Sequence, residues 1–169
     1  MEDLERQNIH SLVIDVRGNT GGHLSSVENI LGLFLDSSHI IYQTEDKNGV
    51  EMFYSHGNVT KSYDIAVLTN EASASASEIL AACLKEEYGA TVVGKCTYGK
   101  GTVQELKTLP DGEQYKFTTK KWLTPNGNWI NGVGVCPNIE VEFNKTYYDN
   151  PVHENDEQLQ SALNFLRSK

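Results

Sequence analysis

Cysteine is scarce in this chain and poorly spaced for chemistry. Cys83, Cys96 and Cys136 are the only ones among 169 residues. They are odd in number, far apart and include no C-x-x-C pair, so neither a disulfide framework nor a zinc site is expected and all three read as packing residues. Cations are also in short supply. Lys and Arg number 14 against 23 Asp and Glu, a net charge of −9. That balance argues against a nucleic-acid surface or a polybasic membrane patch, since both meet phosphates with clustered Lys and Arg. No apolar run approaches the length of a transmembrane span, and the N-terminus lacks the basic-then-apolar pattern of a signal peptide. Internal repeats and low-complexity segments are absent too. What is present, 38% hydrophobic and 22% charged residues, suits one compact domain with a real core over residues 1–169.

The stretch that organises the rest is Thr69-Asn70-Glu71-Ala72-Ser73-Ala74-Ser75-Ala76-Ser77-Glu78. Before it, Ile65-Ala66-Val67-Leu68 reads as a short buried strand; after it, Ile79, Leu80, Ala82, Cys83 and Leu84 keep helical spacing. A strand-to-helix turn made of small residues can present one hydroxyl at a helix N-terminus, where unpaired N–H groups favour developing negative charge. The same residues also suit a plain helix cap, with Glu78 assisting in the first turn. Local chemistry does not choose between cap and nucleophile, nor among Ser73, Ser75 and Ser77.

The order of elements points to an α/β domain with a mixed sheet and flanking helices. Residues 11–16 form an apolar strand that runs into Gly18-Asn19-Thr20-Gly21-Gly22, and Leu24, Val27, Leu31 and Phe34 then keep helical spacing. Residues 39–44 and 50–54 are the arms of a hairpin turned at Asn48-Gly49. Gly89 is placed to end the helix that follows the serines. Extended segments are expected at 91–94, 102–106, 114–122, 129–135 and 139–143, and a closing helix turns Leu159, Ala162, Leu163 and Phe165 or Leu166 inward.

Lys100 lies between Gly99 and Gly101 at the entrance to a strand, where Lys100, Thr102 and Gln104 would share a face. A lysine activates a serine only as the neutral amine, and its reference pKa of about 10.4 means that the site must disfavour the ammonium. Gln104 would orient that amine without adding charge. A competing reading is the phosphate-binding loop G-x-x-x-x-G-K-[ST], which Gly94 to Lys100 matches. It fails at Gly101, where a hydroxyl residue would hold magnesium, and it enters a strand where a helix is needed. Acyl transfer also needs two N–H donors for an oxyanion; Ala76, after the central serine, and Gly21, in the glycine loop, could supply them.

Together, Leu12 to Gly22, Ser73-Ala74-Ser75-Ala76-Ser77-Glu78-Ile79 and Thr97-Tyr98-Gly99-Lys100-Gly101-Thr102-Val103-Gln104 closely resemble the carboxyl-terminal processing, or tail-specific, proteases. Leu123 to Gly127 and Gly132 to Val141 also resemble that family. The resemblance implies a fold similar to the ClpP and crotonase class and a serine endopeptidase with a Ser-Lys dyad. It assigns the nucleophile to Ser75, the base to Lys100, the assisting glutamine to Gln104 and the oxyanion donors to Gly21 and Ala76. It implies polypeptide substrates, no cofactor and no metal, and a site of work outside the cytoplasm, membrane-tethered in the full-length protein. The family usually has proline where Thr20 stands and aspartate where Asn138 stands; neither position is catalytic. Its members also carry a PDZ domain before the Asp15 strand, so the chain is expected to be a catalytic core from a longer protein. An alternative within the same fold is a core that binds extended peptides without cleaving them.

Overall fold

The computed structural model describes residues 2–169. In chain order the elements are α1 (Glu2–Glu5), β1 (Ser11–Asp15), α2 (Leu24–Leu31), β2 (Ile40–Asp46), β3 (Gly49–Tyr54), β4 (Asp64–Thr69), α3 (Ala76–Cys83), β5 (Thr91–Gly94), β6 (Thr102–Thr108), β7 (Gln114–Leu123), β8 (Ile139–Glu140), α4 (Lys145–Asp149) and α5 (Glu157–Arg167). The expected α/β class is what the chain forms. Its parallel and antiparallel parts divide into two four-stranded sheets, β1-β4-β5-β8 and β3-β2-β7-β6.

β4 is buried along Ile65–Thr69 because parallel neighbours flank it and both its faces are covered. Its alternation sorts side chains between two cores. Ile65 and Val67 join Val92, the apolar residues of α3, and Ile41, Tyr42 and Trp122 from the second sheet. Ala66 and Leu68 face the other way, onto Ala162 and Leu166 of α5. α3 therefore lies where the two sheets meet, with all eight of its residues buried. A π-helical turn, Leu84–Tyr88, extends it to Gly89, which ends it in the left-handed conformation at φ 81°.

Two expectations are corrected by long-range packing. Residues 129–135 form turns with a single bridge, Leu123 to Trp129. Their backbone folds against the loop carrying Lys100, with Gly132 N–H donating to Gly99 O at 2.8 Å. The extended segment expected at 139–143 shrinks to β8, Ile139–Glu140. The cysteines are the second correction: Cys96 and Cys136 form a disulfide across 40 residues, and Cys83 alone is a buried packing thiol. Parallel pairing of Val93 with Ile139 brings the two flanking loops together, and Thr97 N–H donates to Val135 O at 3.1 Å beside the bridge. Sequence spacing shows none of this.

Candidate active site

The three serines of the turn have different surroundings. Ser73 is fully buried; its Oγ donates to Val16 O at 2.8 Å and accepts from Asn70 N–H at 3.1 Å. Ser77 is only 3% exposed and lies inside α3. Ser75 is left at the cavity, at the N-cap of α3, with φ 58° and ψ −120°. A non-glycine residue held there costs about 1–3 kcal/mol, and such conformations cluster at functional turns. Ala76 opens the helix and lines the same cavity, so its N–H has no intrahelical acceptor.

The glycine loop after β1 closes against this turn. Asn19 O accepts from Ala74 N–H at 3.0 Å. Gly21, at φ 102°, has no room for a side chain: a Cβ there would lie 2.8 Å from Ala74 O, 2.9 Å from Ser75 Cβ and 3.0 Å from Ala76 N. The Gly21 N–H points at the Asn19 side chain, donating to Oδ1 at 2.9 Å. Arg17 fixes the base of the loop. Its guanidinium bonds Asp15, Asp156 Oδ1 at 2.9 Å and Oδ2 at 2.7 Å, and Gln158 Oε1 at 3.0 Å, tying the loop to the start of α5.

Glu78 is the residue whose role the sequence understated. A capping contact in the first turn was expected, and its carboxylate does accept from Ser75 N–H at 2.8 Å. Fully buried, it also accepts from Thr97 Oγ1 at 2.5 Å, Gly99 N–H at 2.7 Å and Lys100 N–H at 2.9 Å. One carboxylate thus binds the Ser75 turn to the Lys100 loop. The S-x-x-E spacing is its only local signal. Around Lys100 the chain needs glycine for close approach, because a Cβ at Gly99 would lie 2.9 Å from Gly132 N. The Lys100 carbonyl accepts from the Trp122 indole N–H.

Ser75, Ala76, Lys100, Thr102 and Gln104 all line one cavity of about 430 Å³. Gly22 lines it as well, next to Gly21. Simple alternation predicts Lys100, Thr102 and Gln104 on one face, and all three do reach the cavity. Val103 joins them, because a bulge shifts the register from Val103–Lys120 to Gln104–Thr118. The stretch from Gly94 to Lys100 leads into β6, so no helix N-terminus faces a phosphate there.

A profile of Peptidase family S41 matches residues 1–141. The chain belongs to that family. It is 46% identical over 143 residues to the carboxy-terminal processing protease CtpB of Bacillus subtilis, covering 84% of this chain and 30% of that protein. It is 31% identical over 175 residues to a probable CtpA-like serine protease of Staphylococcus epidermidis, covering 95% of this chain and 36% of the relative. Among solved structures, a photosystem II D1 C-terminal processing protease superposes with a TM-score of 0.77 at 31% identity, covering 83% of this chain and 36% of that one. The S41 chain therefore spans about a third of the length of these relatives.

Proposed function

We propose that this chain is the catalytic core of a serine endopeptidase that cleaves polypeptides, typically near the C-terminus, through an acyl-enzyme on Ser75. The observation that carries the reading is the gathering of Ser75, Lys100, Gln104 and Ala76 on one cavity, with Ser75 at a positive φ on a helix N-terminus. Ser75 Oγ forms a bond to the scissile carbonyl carbon while its proton passes to the Lys100 amine. Gln104 orients that amine. As the C–N bond breaks, Lys100 returns the proton to the leaving amine, and water then releases the acyl group by the same base. The Ala76 N–H stabilises the oxyanion, together with the Gly21 N–H once that group exchanges Asn19 Oδ1 for the substrate.

The disulfide bears on compartment. Cys96–Cys136 would persist only in an oxidising environment, which supports work outside the cytoplasm. No helix among the described residues is long and apolar enough to cross a membrane.

The 2.9 Å bond from Gly21 N–H to Asn19 favours a second reading, a peptide-binding core that does not cleave. Labelling with a fluorophosphonate separates the two. The wild-type chain is expected to label at Ser75, Ser75→Ala not at all, and Lys100→Ala about 10²- to 10⁴-fold more slowly. Equal labelling of all three, or none in the wild type, would remove the dyad.

A further inference from the structure

The cavity beside Ser75 changes character along its length. Part of its wall is apolar: Ile79, Trp122, and Tyr42 stacked on Phe53 at 4.5 Å. Along β7, Lys120 and Lys116 line the same cavity further out. These cations stand out in an acidic molecule. Lys100, Lys107, Lys116, Lys120 and Lys121 lie within residues 100–121, against Glu105, Asp111 and Glu113, while the chain as a whole carries −9. Lys120 is held by Glu51 at 3.1 Å, in a pair that is 35% and 61% exposed. Solvated pairs of this kind contribute about 0–1 kcal/mol and yield readily to a competing anion.

A second, independent sign lies beneath them. Thr44 is 7% exposed and pairs with both Glu51 and Trp122 in the sheet. Its Oγ1 has no hydrogen-bond partner among the described residues. Thr44 and Lys120 both line the main cavity and the cleft that continues past Glu51. A buried hydroxyl without a partner is costly, and a polar ligand atom arriving beside Lys120 would relieve it.

We propose that Lys116 and Lys120 form a carboxylate-recognition site for the substrate: the apolar end of the cavity takes an uncharged side chain next to the scissile bond, and the lysines take a carboxylate carried nearby on the same peptide. The proposal rests on the peptidase reading for its use, and its test can be read without turnover. The shared chemistry has two sources, an acidic side chain or the free α-carboxylate of the substrate.

The test uses one Ala/Leu/Val octapeptide with a fluorophore–quencher pair in three forms: free acid, C-terminal amide, and amide with one Glu near the C-terminus. In the wild-type chain the free acid, the Glu form or both should be cleaved with a kcat/KM about three- to tenfold above the plain amide, as expected for partly solvated ion pairs. Which form gains identifies the source. Lys116→Gln and Lys120→Gln should each lower that ratio, and the double variant should bring it to about one; Lys145→Gln, on α4, is the charge-matched control and should keep it. Fluorophosphonate labelling of each variant reports whether the fold and Ser75 are intact. Should no peptide be cleaved, the same ratios are read as affinities for Ser75→Ala by fluorescence anisotropy, so a failed peptidase reading stays distinct from a failed lysine site. No gain for either carboxylate form, or a gain that survives the double variant, would overturn the proposal.

Discussion

The two walls of the Ser75 cavity are built on opposite plans. On one side, the Ser75 turn, the glycine loop and residues 97–101 meet with no spare room, joined by a buried carboxylate and by backbone-to-backbone contact. On the other, β6 is exposed from Gln104 to Thr108 and β7 from Gln114 to Lys116, where the two strands pair with each other alone. Groups that must hold one another to fractions of an ångström sit in the first wall. Lys116 and Lys120, which in the proposed site need only to meet a peptide, sit on the second, and Gln104 reaches the cavity from it. Low local burial makes a hairpin of this kind the easier part to open.

The strongest way to break this contrast is Glu78→Ala. It strips an acceptor from Ser75 N–H, Thr97 Oγ1, Gly99 N–H and Lys100 N–H at once. Each buried donor left without a partner costs about 1–3 kcal/mol, so a loss of at least ~4 kcal/mol is expected, seen as a fall in Tm of roughly 10 °C or more. Fluorophosphonate labelling below the melting range should fall as well, since the Ser75 turn and the Lys100 loop lose their common anchor. Glu78→Gln should not rescue it, because its NH₂ would face N–H donors. A variant that melts and labels like the wild type would show that the first wall is held by something else.

Residues whose partners are near in sequence announced themselves, and those whose partners are distant did not. The small-residue turn, the glycine loop and Lys100 between glycines were legible because sharp turns and close approach limit the choice of side chain locally. Which serine faces the cavity was not, because Ser73 is taken out of contention by Val16, 57 positions away. Glu78 was readable as a cap and unreadable as an anchor, since three of its four donors lie 19 to 22 residues on. The Cys96–Cys136 bridge depends on β5 pairing with β8, and the split into two sheets depends on β7 pairing with β2. Both are contacts that periodicity does not encode.

The next effect is smaller and depends on pH. Asp156 holds Arg17, and through it the foot of the glycine loop. Burial pushes its carboxyl upward, but the Arg17 bonds and the Leu159 N–H outweigh that and leave it below the usual carboxylate range. A lowered folded-state pKa means stability that is present above the unfolded value of about 3.9 and lost as pH falls through the folded one. Asp156→Asn should therefore unfold about 2 kcal/mol more easily at pH 7, a partly buried case of a broken ion pair. The gap should narrow toward zero as acid protonates the wild-type carboxyl. Urea midpoints for the two proteins at pH 7 and pH 3 measure it, and a gap that does not change with pH would detach Asp156 from the support of the loop.

The smallest effect should come from the tip of the hairpin. Gly112 and Gly21 both have positive φ, 91° and 102°, so alanine is strained at either position. Only their surroundings differ. A Cβ at Gly112 meets nothing within 4 Å, whereas at Gly21 it runs into Ala74 O, Ser75 Cβ and Ala76 N. Gly112→Ala should thus cost only the backbone penalty, about 1–2 kcal/mol, or a few degrees in Tm, with fluorophosphonate labelling unchanged. Gly21→Ala carries the same backbone penalty plus displacement of the Ser75 turn, and its labelling should slow by at least ~10-fold, the loss expected when a reacting group shifts by a fraction of an ångström. Equal labelling rates for the two variants would mean that the first wall yields as easily as the second, and that closeness of packing does not set which wall holds Ser75.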